Sequence, residues 1–507
     1  MTSLLSQPIL PVRKLGQLLT GIAAIEPAVD RDIRGLALDS RRVEPGGLFL
    51  ACAGNRVHGI DYIKEAIARG AVAVAYEPVD RDVIAPEVAA GPALIPIPGL
   101  QQRAGVIAAR FFGQPSHALM VIGITGTNGK TSCSQFLAQA LNRSAPCGVI
   151  GTLGSGLYGR LADTGHTTPD AVNLQWQLSE IRAQGAAAVV MEVSSHGLEQ
   201  GRVNGIAFNG AVFTNLTHEH LDYHGDMITY AATKQRLFEV PGLHFAVVNL
   251  DDPFGRRLLA TLGDGVTVVG YTLGQQPAIG SMARVHGQIT QLDNDGFTLE
   301  VMTPWGSGQV RTRLLGRFNA SNLLAVLSTL LVSGIEFGDA IERLAETASV
   351  PGRMERFGGH PGQPLVIVDY AHTPDALEQV LISLREHCRG VLWCVFGCGG
   401  NRDRNKRPVM GRVAEQYADR VVLTDDNPRT EDPNAIIAQI RAGMRDAANA
   451  IVERRRPQAI ASAVRQASAG DVVLVAGKGH EEYQLVGDRR IPYSDRREVS
   501  ALFDEAA

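Results

Sequence analysis

The sequence predicts an α/β protein of three domains, the last of them a doubly wound sheet, and three observations carry that prediction. The chain has 507 residues, well beyond what one hydrophobic core serves, so about three domains are expected. From about residue 100 onward, apolar runs of strand length alternate with helix-patterned stretches, as in parallel sheets covered on both faces. Glycine is abundant at 55 residues, which suits the tight strand-to-helix turns of such folds.

The bulk chemistry narrows the class. Hydrophobic residues make up 45% and charged residues 20% of the chain, ordinary for a soluble globular protein. A net charge of -4 gives no broad attraction to nucleic acid or to an acidic membrane. No stretch reaches 18 uncharged apolar residues, so no membrane span is expected. The segment MTSLLSQPILPVRKLGQLL lacks the pattern of a secretory leader. The six cysteines are scattered, and Cys394 and Cys398 are spaced C-x-x-x-C. They read as incidental core thiols, which suits a reducing cytoplasm.

Taken in order, residues 1–99 read as a small α/β unit. GLFLACAG and AVAVAYE are its strands, and IDYIKEAIARG between them is a helix ending on Gly70. GPALIPIPGL, rich in proline and glycine, reads as a linker near residues 92–100. Residues 100–347 follow as a second unit with strands MVIGIT, AAAVVMEV, GAVFTNL and HFAVVNL. Alternation in TVVGYT and FTLEVM within residues 265–315 predicts a few antiparallel strands there, before the helix NASNLLAVLSTLLVSG closes the unit. Residues 348–507 form the third unit, with strands LVIVD, VLWCVFG, RVVLTD and DVVLVAG. The polar clusters DYAHTPD, GCGGNRDR, DDNPRTED and GKGHEEY each follow one of these strands. Ligands of parallel sheets bind at the carboxyl ends of the strands, so the third unit is expected to be a binding domain.

MVIGITGTNGKTSCSQFLAQAL places a glycine-rich turn between a strand and a helix. Gly126 and Gly129 let backbone N–H groups turn toward phosphate oxygens, and the helix N-terminus adds partial positive charge. Lys130 is placed for the β- and γ-phosphates of ATP and Thr131 for Mg²⁺. The full eight-residue P-loop pattern needs glycine at position 124, where this chain has Ile124, so the loop is a shortened G-x-x-G-K-T form. Gly154, Gly156 and Gly159 match G-x-G-x-x-G, but RLADTGHTTPD opens no helix directly after them, which argues against a dinucleotide site.

Glu192 ends a strand of the same unit, where a carboxylate suits Mg²⁺ beside ATP. NLTHEHLDYHG adds His218, His220, Asp222 and His224. A zinc-protease H-E-x-x-H is excluded because Asp222 stands four residues after His218.

GTNGKTS, EVSSHGLEQGRV, NLTHEHLDYHGD, LLGRFNASNLLA, VPGRME, VDYAHTPDAL, FGCGGNRDR, DDNPR and GKGHEEYQ occur in the order seen in Mur ligases, and the chain resembles that family. The resemblance implies an N-terminal uridine-nucleotide domain (1–99), a central P-loop ATPase-like domain with a mostly parallel sheet (100–347) and a C-terminal Rossmann-like domain (348–507). It implies ATP-dependent addition of meso-diaminopimelate to the D-glutamate γ-carboxylate of UDP-N-acetylmuramoyl-L-alanyl-D-glutamate through an acyl phosphate, in peptidoglycan synthesis. A cytoplasmic monomer, with neither nucleic acid nor membrane insertion, is expected. Residue by residue, the resemblance assigns Gly126, Thr127, Asn128, Gly129, Lys130, Thr131, Asn319, Arg353 and His372 to ATP. Ser40, Arg41, Thr167, Thr168, Ser194, Gln200 and Arg202 go to the UDP-linked substrate. Thr131, Glu192, His220 and Lys234 go to Mg²⁺, with Lys234 carbamylated; from its own surroundings in sequence, Lys234 reads as a solvated helix lysine. Lys130, Lys234, Glu192 and His220 form the catalytic set. His166 departs from the asparagine that relatives often carry.

The resemblance also assigns Arg402, Asp426, Asn427, Arg429, Gly477 and Glu481 to the amino acid. Pro428 fixes its own φ and biases Asn427 toward extended backbone, and Arg429 offers a planar fork that matches a carboxylate. Lysine and meso-diaminopimelate differ by one distal carboxylate, so DNPR favours the diacid, while Glu481 suits the distal ammonium. Two rivals are weighed. Folylpolyglutamate synthetase shares the G-T-N-G-K-T loop but not DNPR or the DSR motif, here Asp39-Ser40-Arg41 in LDSRRVEPGG. A regulatory ATPase or kinase leaves the strand-end clusters of the third unit unexplained.

Overall fold

The computed structural model describes residues 11–54, 57–79, 91–274 and 282–504. The chain divides into two compact units, Met1–Val269 and Gly270–Ala507.

The first unit opens with four parallel strands in sequence order, β1 (Gly35–Ala37), β2 (Gly47–Ala51), β3 (Ala73–Tyr76) and β4 (Ala93–Pro96). Helix α1 (Ile63–Ala68) lies between β2 and β3, as the sequence pattern requires. The stretch read as a linker near 92–100 is not one. It contains β4, paired with β3, and runs into α2 (Leu100–Phe111). Leu100, Ala104, Ile107 and Phe111 of α2 pack with Leu48, Leu50 and Ile95 in one core. The prolines are tolerated because β4 is the sheet's edge strand, where a missing N–H costs no ladder bond.

A second sheet in this unit has five parallel central strands in the order β6 (Cys147–Gly151), β9 (Ala188–Glu192), β5 (Met120–Thr125), β10 (Gly210–Phe213), β11 (Phe245–Asn249). Helix α3 (Lys130–Asn142) follows β5 directly. The Gly154–Gly159 stretch opens no helix: β7 (Gly154–Leu157) and β8 (Arg160–Ala162) extend β6 as an antiparallel meander. Helix α4 (Ala171–Ala183) returns to β9, α5 (Ser195–Glu199) leaves it, and α6 (Leu221–His224) and α7 (Met227–Gln235) lead from β10 to β11.

The second unit starts with the expected antiparallel strands, β12 (Ala283–Asp293), β13 (Gly296–Thr303) and β14 (Gly306–Thr312), then the long buried helix α8 (Arg317–Val332). Its main sheet has the order β15 (Glu355–Gly358), β16 (Leu365–Asp369), β20 (Val472–Ala476), β17 (Leu392–Phe396), β18 (Arg420–Leu423), β19 (Ile451–Val452), parallel except for β15. Alternate residues divide between two cores: Leu365, Ile367, Cys394, Phe396 and Leu474 on one face, Val366, Val368, Val395, Val473 and Val475 on the other. Apolar side chains on both faces make these strands continuous apolar runs in sequence. None of the six cysteines forms a disulfide. No helix among the described residues is long and apolar enough to cross a membrane.

Several titratable side chains are buried in this unit's packing, His387 among them. His387, at the end of α9 (Pro374–His387), accepts a hydrogen bond at Nε2 from the Gly316 amide at 3.0 Å and donates from Nδ1 to the Asp293 carbonyl. Burial holds its pKa below the usual histidine value. A depressed folded pKa means that the neutral form stabilises the fold, fully above about pH 6.5 and progressively less as pH falls through the folded value. Thermal melts should therefore drop between about pH 7 and about pH 5, and His387→Asn should remove that component. An unchanged pH profile in the variant would contradict the role of this ring.

Candidate active site

In the first unit the polar residues gather where β5, β6, β9 and β10 end. Gly126 leaves β5 at φ +150°, and a Cβ there would lie 1.9 Å from Thr214 Oγ1, so no other residue fits this turn. Gly129, at φ +86°, caps α3. Lys130 folds back over the loop and donates from Nζ to the carbonyls of Gly126 at 2.8 Å and Thr127 at 2.7 Å. Asn128 N donates to Asn215 Oδ1 at 2.9 Å, tying the loop to the end of β10.

Glu192, the last residue of β9, is buried. Its carboxylate accepts from Thr131 Oγ1 at 2.9 Å, the Thr152 amide at 2.8 Å and Thr152 Oγ1 at 3.2 Å. The Thr152 hydroxyl also meets Thr167 Oγ1 at 3.0 Å. Thr168 bridges the Glu192 carbonyl and the Ser194 amide, both at 3.0 Å. Arg202 donates to the Thr168 carbonyl at 2.7 Å and to Gln200 Oε1 at 2.6 Å and 2.9 Å. The expected Thr131, Glu192, Thr167, Thr168, Ser194, Gln200 and Arg202 thus form one hydrogen-bonded chain.

Lys234 corrects the reading of a solvated helix lysine. It lies on α7 with 1% exposure, donates to the Gly126 carbonyl at 2.8 Å and stands 4.4 Å from the Tyr230 ring centre. Burial, helped by the nearby Lys130 charge, lowers its pKa well below the usual lysine value. Tyr230 also joins the loop through Thr127 Oγ1 at 3.2 Å. His220 begins α6 at φ +58° and packs edge-on to His196 at 5.0 Å and to Tyr230 at 6.3 Å. The Asp222 side chain lies outside the described residues.

Among the described residues no group of three or more His, Cys, Asp or Glu could hold a metal. Thr131 and Glu192 nevertheless supply hydrogen-bonded hard oxygens, the donor type Mg²⁺ takes. An ammonium has no lone pair for Mg²⁺, and a neutral amine is a poor ligand for so hard a cation. A carbamate on Lys234 offers oxygens, so the expected set fits Mg²⁺ best with that modification and with oxygens from a phosphate.

A cavity of about 550 Å³ in the same unit is lined by Ser40, Arg41, Phe49, Tyr62, Gln200 and Arg202, among others. It brings together four of the seven residues expected to hold the UDP-linked substrate. Ser40 is buried and donates to Glu65 Oε2 at 2.6 Å. Arg41 is paired with Asp39 at 2.7 Å and has a 75% exposed side chain. Glu65 was not legible beforehand, because 25 residues and a strand separate it from Ser40. His166 lines a neighbouring cavity with Arg42, Asn173 and Gln177.

In the second unit, Arg353 stacks over Tyr370 at 4.5 Å, and the His372 ring lies 4.7 Å from the same ring. Asn319 is instead buried in α8, where it donates to the Leu315 carbonyl at 2.8 Å.

The loops after β17, β18 and β20 carry the remaining residues. Arg429 sits at φ +52° and is held in that unusual conformation by two backbone bonds, its amide to Leu485 O at 3.0 Å and its carbonyl from Gly487 N at 2.8 Å. Its guanidinium donates to Gly400 O at 2.8 Å. Arg402 and Arg429 both flank Gly399: a Cβ there would lie 3.0 Å from Arg429 Nη1 and 3.7 Å from Arg402 Cγ. Gly477 is similarly closed in by Asp426 Oδ2, 2.8 Å from the place of a Cβ. Asn427 donates to Glu481 Oε2 at 3.0 Å. Sequence reasoning missed Arg407, whose buried guanidinium joins Glu431 at 2.9 Å and Gly399 O at 3.0 Å. This fork holds the Glu431 carboxyl down at about 2 and braces the GGNR loop against the NPR loop.

Comparison with known proteins gives a consistent picture. The model of the Mur ligase family catalytic domain matches residues 32–112, the Mur ligase middle domain 124–330, and the Mur ligase glutamate ligase domain 352–479. The chain is 51% identical to the UDP-N-acetylmuramoyl-L-alanyl-D-glutamate–2,6-diaminopimelate ligase of Coxiella burnetii, covering 92% of this chain and 95% of that protein. It is 51% identical to the ligase of the same name from Alkalilimnicola ehrlichii, covering 97% and 99%. A solved structure of a ligase so named superposes with a TM-score of 0.72 at 36% identity, over 98% of this chain and 99% of that one.

Proposed function

The chain belongs to the Mur ligase family, and on that premise we infer that it joins 2,6-diaminopimelate to UDP-N-acetylmuramoyl-L-alanyl-D-glutamate at the expense of ATP. In this reading the three stretches 1–99, 100–347 and 348–507 serve the UDP-linked substrate, ATP and the amino acid respectively. The protein works in the cytoplasm as a monomer, supplying peptidoglycan precursor.

The chemistry sets what each group must do. A carboxylate is a poor electrophile, so a D-glutamate γ-carboxylate oxygen attacks the γ-phosphorus of ATP and ADP leaves. The diaminopimelate amine then attacks the acyl carbon of the acyl phosphate. The tetrahedral intermediate expels phosphate, and the nitrogen loses its proton. The turn from Gly126 to Gly129 aims the N-terminus of α3 at the phosphates, and Lys130 neutralises charge on the transferring group. Thr131, Glu192, His220 and a carbamylated Lys234 would hold Mg²⁺, which when bound neutralises phosphate oxygens. Ser40, Arg41, Gln200 and Arg202 line a cavity large enough for a nucleotide end, and Arg202 reaches through Thr168 toward Glu192. Asn319, Arg353 and His372 complete the ATP contacts in this reading.

The observation that carries the choice of amino acid is the pair Arg402 and Arg429 beside Gly399, with Glu481 tied to Asn427 in the adjoining loop. Two cations for a distal carboxylate beside one carboxylate for a distal ammonium match meso-diaminopimelate and not lysine. A charge-assisted contact contributes on the order of 1.5–3 kcal/mol, roughly 10- to 150-fold. Arg429→Ala is expected to raise the KM for meso-diaminopimelate at least about tenfold, with the KM for ATP little changed. The decisive measurement is wild-type kcat/KM for both amino acids. Preference for lysine would overturn the assignment.

A further inference from the structure

We propose that Lys478 is a specificity-determining residue: it pins Glu481 in one orientation and offsets its charge, so that the pocket prefers a zwitterionic distal end to a plain ammonium. The proposal rests on the reading above that Glu481 receives the distal ammonium.

Lys478 follows Gly477 in the loop after β20 and is 0% exposed. An ammonium buried this completely must be paired, because losing water without a partner is prohibitively costly. Its Nζ donates to Glu481 Oε2 at 2.7 Å and to Asn427 Oδ1 at 3.1 Å. Asn427 Oδ1 also accepts from the Leu485 amide at 2.9 Å, and Asn427 Nδ2 donates to the same Glu481 Oε2 at 3.0 Å. Lys478, Asn427 and Glu481 thus close a three-membered ring of hydrogen bonds. Both lone pairs of Asn427 Oδ1 are engaged, one by Lys478 within that ring and one by the Leu485 amide outside it. Glu481 Oε2 is held by two donors, whereas no described residue donates to Oε1, on a side chain 17% exposed. The ring therefore selects which oxygen is presented outward.

Charge gives the second half of the argument. Asp426 and Glu481 are two carboxylates on adjoining loops, both close to Gly477 in space or sequence. Without Lys478 they would favour any distal ammonium, including that of lysine. With Lys478 the loops carry less net negative charge, and the distal carboxylate of diaminopimelate is not repelled as it approaches Arg429 and Arg402. A salt bridge that served only to stabilise the fold would change the use of both amino acids equally.

The test is steady-state kinetics of Lys478→Met with meso-diaminopimelate and with L-lysine, with Glu481→Gln in parallel. Lys478→Met is expected to raise the KM for meso-diaminopimelate about tenfold or more, the size of one charge-assisted bond. kcat should change far less, and the diaminopimelate-to-lysine ratio of kcat/KM should fall by a similar factor. If Glu481→Gln raises that KM while Lys478→Met leaves the ratio unchanged, the role of Lys478 is overturned and the reading of Glu481 stands. If Glu481→Gln leaves the KM unchanged, the reading of Glu481 falls and this proposal with it. Should Lys478→Met fail to fold, the doubly neutral Lys478→Met/Glu481→Gln replaces it, since removing both members of a buried pair is tolerated better than removing one. A KM equal to that of Glu481→Gln then supports the proposal, and a further tenfold rise overturns it.

Discussion

Lys130→Ala is expected to lose about a thousandfold in kcat, roughly 4 kcal/mol of barrier, while keeping its fold. The loop around Lys130 is built by other means. Gly126 takes a backbone angle closed to side chains by Thr214, and Asn215 holds the Asn128 amide. The Gly126 carbonyl that Lys130 meets also accepts from Lys234, so truncating Lys130 does not orphan it. The Thr127 carbonyl does lose its side-chain donor. What the variant loses is a fixed positive charge at the mouth of α3, where negative charge develops as the γ-phosphoryl group transfers. The expected signature is a collapse of phosphate release at saturating substrates with an unchanged melting temperature. Retention of more than about a tenth of kcat, equivalent to under ~1.4 kcal/mol, would end the assignment of this lysine.

Much of this site was legible because its residues are local. Strand, glycine turn, Lys130, Thr131 and helix lie within 23 consecutive residues, 120–142, and each adjacent pair has a physical reason to be adjacent. The strand-end clusters of the second unit were legible for the same reason: continuous apolar runs predict a covered parallel sheet, and the polar residues after them must then lie at its edge. What escaped was whatever depended on partners remote in the chain. Glu65 reaches Ser40, Arg407 reaches Glu431, and Lys478 reaches Asn427 across 51 residues. The 92–100 stretch was misread because proline and glycine content signals both linkers and edge strands, and only the pairing of β4 with β3 separates the two.

Lys234 is the sharpest such case, and replacing it should be nearly as damaging as replacing Lys130. Its sequence surroundings, YAATKQRLF, describe a lysine on an exposed helix face, yet it is buried and shares one carbonyl oxygen with Lys130. Burial first, and then repulsion from a second ammonium on the same carbonyl, favour a neutral amine at Lys234. A neutral amine is the form that adds to carbon dioxide. The nitrogen lone pair forms a bond to carbon, one proton leaves, and an anionic carbamate results. That product would turn a repulsive pair into an attractive one and would supply oxygens for Mg²⁺ beside those of Thr131 and Glu192. Lys234→Ala is therefore expected to lose about a thousandfold or more in kcat, comparable to removal of a principal electrostatic group. Its melting temperature should hold or rise, since the variant no longer buries a potential charge. Formate or acetate in the assay should restore part of the turnover by supplying a carboxylate in the vacated space. Lys234→Arg separates a need for a cation from a need for the carbamate: it keeps the charge but cannot be carbamylated. Turnover of Lys234→Arg or Lys234→Ala within tenfold of the parent would mean that no carbamate is needed here.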